Sequence, residues 1–335
     1  MVGRKSQTFP ANFTKELMKK KKILIFFRAA LGDFYLNFPL FERFRNSYFK
    51  DDELTLVTSP LVLDMLYEKK WFDNLIPLTD YKPSRTFDKI IDLDINQTGM
   101  SATHKPNMTF FDILESTYDV ELNKKEFDSI FRLHLTKKEK DRIETIADPN
   151  AVVIHTTNLN KRPQGKTPSS QWWDELFTVN RDTKFIQVGS KYKIASRIVP
   201  DYTFEYGFSN ITDMRDNFNF RELAYLLEKT KTFVAVDSIV AHLSLSSKKK
   251  GIVLWGASSQ DIHGHQHNIN VNANRPCSPC IDLNVNCCLA QNPNLFPSEN
   301  EINHILHKIT CHQSYTLVLY NCELMITFIE IDYES

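Results

Sequence analysis

Short runs of β-forming apolar residues alternate with stretches of helical period from residue 22 to about residue 310. Few folds accept that order, because each strand must sit beside a parallel neighbour under the helix that connects them. KILIFF at 22–27 reads as a buried strand, and Phe34, Phe38, Phe41, Phe44 and Tyr48 then recur at helical spacing. ELTLVT, the NLIPL run and KIIDLD read as further strands, the last ending in acidic residues where a sheet edge would open. Helices are predicted over 105–118 and 137–146. The turn signal Asp148-Pro149-Asn150 then precedes a fresh strand, AVVIHT. Strands near 184–188, 232–236 and 251–255 continue the rhythm, with helices over 170–178, 220–229 and 238–246. Ser298 and Glu301 form a capping box ahead of Ile302, Ile305, Leu306 and Ile309 on one helical face.

A chain of 335 residues exceeds what one core usually supports, so two α/β domains are expected, over 1–149 and 150–312, with a β-like tail over 313–335. No apolar run approaches the ~18 residues of a membrane span, and MVGRKSQTFPANF lacks the apolar core of a secretory signal. A cytoplasmic protein is expected. Lys plus Arg equals Asp plus Glu at 41 each, which removes any long-range field that would gather nucleic acid or an acidic membrane. The local clusters Lys19 to Lys22 and Lys248 to Lys250 read as solvated segments, and peripheral membrane contact is the alternative for them.

Three loops, each after a predicted strand, hold most of the polar residues suited to chemistry, and open parallel sheets bind ligands at that end. In RAALGDF, Gly32 permits a tight turn and Asp33 sits where a helix begins, as a plain N-cap or as a functional carboxylate. In HTTNLNKRPQGKTP, the hydroxyls of Thr156 and Thr157 and the cations Lys161, Arg162 and Lys166 precede a helix, an arrangement that suits a diphosphate or a solvated basic loop. Trp172 and Trp173, next in the chain, read as packing residues. In VAVDSIVAHLSLS, Asp237 and Ser238 would cap the following helix, with His242 one turn on, on the face of Ser238.

Together these segments resemble glycosyltransferase family nine, the lipopolysaccharide heptosyltransferases. ILIFFRAALGDFYLNFP matches that family's strand, small-residue loop, Leu-Gly-Asp and helix containing Pro. VVIHTTNLNKRPQGKTPSSQWW matches its strand ending in His, loop with Lys and Trp-rich helix start. DSIVAHLSLSSKKKGIVLWG follows its Asp-Ser-Gly-Pro-x-His signature, and CSPC at 277–280 its Cys-x-Pro-Cys segment. The likeness covers about 22–310. Ile239 and Val240 stand where the family has Gly and Pro, Thr167 replaces a Trp, and Arg28 lies one residue closer to Gly-Asp than usual.

The resemblance implies a GT-B architecture, two Rossmann-like domains facing a central cleft, with the acceptor domain first and the nucleotide-sugar domain second. It implies inverting transfer from a nucleotide-sugar donor, ADP-heptose or similar, to a glycan, glycolipid or protein acceptor, with no cofactor required. Asp33 would be the general base, and Thr156, Thr157, Lys161, Lys166, Asp237, Ser238 and His242 would hold the donor. A catalytically silent relative, altered at Ile239, and a transferase acting on protein or nucleic acid are the alternatives. All six cysteines fall at or after residue 277, and Cys277 and Cys280 with Cys287 or Cys288 and Cys311 suit a four-sulfur iron or zinc site. The alternative is a set of reduced structural thiols.

Overall fold

The structure, a computed structural model, describes residues 20–83, 86–93, 108–156, 167–168, 170–190, 207–256 and 258–273, together with residues 302 and 306. The first unit runs β1 (Lys22–Phe27), α1 (Leu31–Leu36), α2 (Phe38–Arg43), β2 (Glu53–Thr58), a 3-10 helix (Pro60–Leu66), β3 (Asn74–Pro77), β4 (Lys89–Asp92), α3 (Phe110–Tyr118), α4 (Phe127–Phe131) and α5 (Lys137–Ile146). The second runs β5 (Val152–His155), α6 (Ser170–Val179), β6 (Phe185–Gln187), β7 (Ile211–Asp213), α7 (Phe220–Lys229), β8 (Thr232–Val236), α8 (Ile239–Ser247), β9 (Ile252–Trp255), α9 (Gln260–His263) and β10 (Ile269–Asn272).

The strands form two parallel sheets, ordered β3-β2-β1-β4 and β10-β9-β8-β5-β6-β7. Each order reverses once, between β1 and β4 in the first sheet and between β5 and β8 in the second. At such switch points adjacent loops diverge to opposite faces and leave a crevice at the carboxyl ends of the strands. The loops after β1, β5 and β8 all emerge there. Two Rossmann-like domains are thus present, as the alternating pattern predicts.

Successive strand residues point to opposite faces, and the core divides accordingly. Val152 and Ile154 of β5, Val234 and Val236 of β8 and Ile252 and Leu254 of β9 pack against Trp172, Trp173, Leu176 and Phe177 of α6, with Ile302 and Leu306. The helical positions of Ile302 and Leu306 agree with the predicted last helix, whereas Ile305 and Ile309 lie outside the described residues. Val153, Ala235 and Val253 face the other way, onto α7 and α8, in a cluster continuous with the core of the first domain.

The helix predicted over 34–48 is instead broken at Asn37. Pro39, in the first turn of α2, has no N–H for the carbonyl of Tyr35, so the chain restarts rather than continuing one helix. Capping boxes at Thr109 and Asp112, Thr136 and Glu139, and Asn219 and Glu222 open α3, α5 and α7. Among the described residues no helix is long and apolar enough to cross a membrane.

Candidate active site

The β1 loop enters α1 through Ala30, whose extended backbone occupies the N-cap position. Asp33 is therefore not the N-cap: it lies inside the first turn of α1, half-buried, where the unpaired N–H groups of the helix favour a carboxylate. Its backbone carbonyl accepts from the Asn37 side chain at 2.8 Å. Across the first switch point Arg28, just past β1, is ion-paired with Asp92, the last residue of β4. That pair gives a role to one of the acidic residues seen at the end of KIIDLD.

In the second domain, His155 ends β5 and is 8% exposed, and Thr156 follows at 2%. The His155 ring lies against Gly189, which has φ +120°, and a Cβ there would stand 3.0 Å from its Cδ2. Burial pushes the His155 pKa down to about 4, so the imidazole is neutral, and its Nδ1 has no hydrogen-bond partner among the described residues. Thr156 Oγ1 accepts from Gln187 Nε2, at the end of β6, at 3.3 Å. Because β5 pairs with β8, with His155 opposite Ala235, Thr156 and Asp237 leave the sheet close together.

Ser238 occupies the N-cap of α8 but does not act as a cap. Its side chain makes no bond to the helix, and its buried Oγ has no hydrogen-bond partner among the described residues. Asp237 precedes the N-cap, and the expected capping by the Ser238 side chain is not made. Both residues stand at the N-terminal end of this nine-residue helix, where its first amides begin. His242, one turn on, is 3% exposed and its Nδ1 meets His265 Nε2 at 3.0 Å.

The two domains meet at this point. A Cβ on Gly32 would stand 2.7 Å from Cδ2 and 3.1 Å from Nε2 of His242, and 3.9 Å from the backbone nitrogen of Ile239. The turn carrying Asp33 thus rests on the N-terminal half of α8. The backbone at Gly32, next to Asp33, and that at Ile239, next to Ser238, are thus brought together with the His242 ring although distant in sequence. Two other hollows, one lined by Asp148, Lys184 and Asn210 and the other by Lys22, Glu53 and Asn74, lie at the opposite, amino ends of the strands.

Residues 105–288, more than half of the chain, match the profile of glycosyltransferase family 9 (heptosyltransferase). The chain belongs to glycosyltransferase family 9. Its structure is similar to the family 9 glycosyl transferase from Veillonella parvula, with TM-score 0.61 and 12% identity over 88% of this chain and 98% of that one. It is also similar to TibC, an iron-containing dodecameric glycosyltransferase from enterotoxigenic E. coli, with TM-score 0.60 and 13% identity over 87% and 76%. E. coli ADP-heptose lps heptosyltransferase II aligns with TM-score 0.53 and 11% identity over 87% and 98%. These likenesses establish the GT-B fold. No curated protein matches the sequence.

As a family 9 member the chain is a glycosyltransferase. Of its expected site residues, Thr157, Lys161 and Lys166 lie outside the described residues, as do Cys277, Cys280, Cys288 and Cys311. Among the described residues no group of three or more His, Cys, Asp or Glu side chains is arranged to hold a metal ion. Sequence reasoning missed Gln187, Gly189 and His265. The spaced histidines of HGHQH at 263–267 were a visible signal for the last, but nothing in the linear order says that this segment packs on α8.

Proposed function

We propose that this family 9 enzyme transfers a sugar from a nucleoside-diphosphate sugar to an acceptor hydroxyl with inversion, in a single displacement with Asp33 as general base. The observation that carries this reading is the approach of the Gly32-Asp33 turn to the first turn of α8. A carboxylate from one domain then shares a crevice with the N-terminal amides of α8, the Ser238 hydroxyl and a histidine from the other. In this reading the first domain, 1–149, carries the acceptor and the second, 150–312, the donor.

Asp33 takes the acceptor proton as the hydroxyl oxygen bonds to the anomeric carbon. The bond from that carbon to the diphosphate oxygen breaks, and its electron pair leaves with the nucleoside diphosphate. The charge that develops there needs donors already in place. The α8 amides, Ser238 and His242 supply them, with Thr156 alongside and Thr157, Lys161 and Lys166 as further candidates from the same loop. Heptose on ADP is the leading donor, because solved structures of the similar TibC include its complex with ADP-D-beta-D-heptose.

Asp33→Asn decides the base assignment. Transfer should fall by ~100-fold to ~10,000-fold while ADP affinity, measured by calorimetry, stays the same. Transfer near the unaltered rate would remove Asp33 from this role. Donor hydrolysis in a panel of nucleotide sugars separates an active enzyme from a silent relative. The four thiols at Cys277, Cys280, Cys288 and Cys311 have the donor chemistry for structural iron or zinc. Metal analysis of protein purified without chelator should then find about one ion per chain.

A further inference from the structure

We propose that His265 is a positioning residue for the donor site: its Nε2–H donates to Nδ1 of His242 and so keeps the His242 proton on Nε2, the nitrogen that faces the Gly32 turn. The proposal rests on reading His242 as a donor-site residue.

The two rings meet through Nδ1 of His242 and Nε2 of His265 at 3.0 Å, with their planes 71° apart. Both rings are buried, and one proton must lie between the two nitrogens. If His242 supplied it, a bare Nε2 lone pair would face the Gly32 turn and, in the proposed turnover, a diphosphate. A diphosphate is an acceptor. If His265 supplies it, His242 Nε2 carries a proton and can donate to a phosphate or sugar oxygen. Only the second arrangement matches the charge that the reaction brings there. Burial first, and then the neighbouring His242, His267 and His263, hold the His265 pKa well below its usual range, so this ring is neutral.

His265 is itself held in place. Its carbonyl accepts from Asn268 N at 3.0 Å and from Asn270 Nδ2 at 3.0 Å. The His267 ring stacks on the His265 ring with centroids 5.9 Å apart and planes within 4°. His267 Nε2 and Asn268 Nδ2 both reach Ser244 Oγ on α8, at 3.0 and 2.9 Å. The Ser244 hydroxyl spends its one proton on the Ala241 carbonyl, so both of these neighbours donate to it. The segment after α9 is thereby docked on α8 one half-turn beyond His242, which is the placement that a positioning ring requires.

The test combines nitrogen NMR of the histidine rings with ADP titration of H265L, H265Q, H242A and the H242A/H265L double variant. In the unaltered protein, the His242 signals should show Nε2 protonated and Nδ1 bare, and the reverse would overturn the proposal whatever ADP does. H265L should weaken ADP binding by roughly 3- to 10-fold and cost nothing more in the H242A background, while H265Q, whose amide can donate to Nδ1, keeps most of the affinity. Additive losses, or an unchanged H265L beside a weakened H242A, would overturn it. ADP binding unaltered by H242A would instead remove His242 from the donor site, leaving the NMR result to judge the His265 bond by itself. Should H265L fail to fold, H265Q and the unaltered protein still decide the matter.

Discussion

At the end of β5 the His155 imidazole sits where burial holds its pKa near 4, against an ordinary 6.5. Between those two values the unfolded chain binds a proton that the folded protein refuses, so folding stability falls as pH drops from about 6.5 toward 4. The loss through this one group is on the order of 3 kcal/mol. Denaturant melts of the unaltered protein across that window should show the decline, and His155→Gln should flatten it. Gly32 constrains the other side of the crevice. Its missing Cβ leaves room for the His242 ring, and Gly32→Ala would press a methyl against a ring that His265 anchors. Overpacking of this kind costs typically ~1–3 kcal/mol. A lower melting temperature and weaker ADP binding are expected together. Both residues were visible in the sequence as a strand-ending His and a Leu-Gly-Asp turn, but the partners that give them meaning, Gly189 and His242, come from elsewhere in the chain.

Among the elements, α8 has the most to reconcile, because one face completes the core and its first turn opens on the crevice. Its mostly apolar run, IVAHLSLSS, buries Val240, Ala241 and Leu243, while Ser246 Oγ accepts from Leu133 N at 2.9 Å across the domains. Ile239, where the family has Gly, packs against the core cluster at the start of this helix. Ile239→Gly should therefore cost about 1–3 kcal/mol of stability from lost packing, with ADP affinity within about twofold of the original. A large gain in affinity would show instead that Ile239 obstructs the donor. The strands around α8 were legible to within a residue or two, since β5, β8 and β9 are short, mostly apolar and buried on both faces. The breaks were less so. Pro39 splits a run of aromatic residues whose helical spacing survives the interruption, and periodicity alone does not register a missing N–H.

On the scale of the whole molecule the two domains are joined by packing and by polar contacts that no local pattern announces. The C-terminal domain's α7 begins against the first domain's 3-10 helix: Phe220 N donates to Asp64 Oδ2 at 3.1 Å, and the Arg221 guanidinium lies over the Tyr67 ring at 4.4 Å. Beside it, Arg221 pairs with Glu139 at 2.6 Å and Arg142 with Glu222 at 2.7 Å, tying α5 to α7. Asp64 is the member of this junction with a cost. Burial raises its pKa above the usual carboxylate value, more than the bond from Phe220 and the charge of Arg221 lower it. A carboxyl whose folded pKa is raised binds its proton more tightly in the folded protein than in the unfolded chain. Its contribution to stability is therefore largest at low pH and declines as pH rises from about 3.8 through the raised value. At neutral pH the protein carries an ionised group that this junction disfavours, kept because the amide at the start of α7 needs an acceptor. Asp64→Asn keeps a carbonyl for Phe220 N and removes the charge, so it should melt at the same temperature or higher at pH 7 and lose that advantage toward pH 4. Asp64→Ala removes the acceptor as well, and a buried amide left unmade costs about 1–3 kcal/mol, so it should melt lower at both pH values. Thermal melts of the three proteins at pH 7 and pH 4 check this. A fall in stability for Asp64→Asn at pH 7 would mean that the charge of Asp64, through Arg221, and not its acceptor oxygen, holds the domains together.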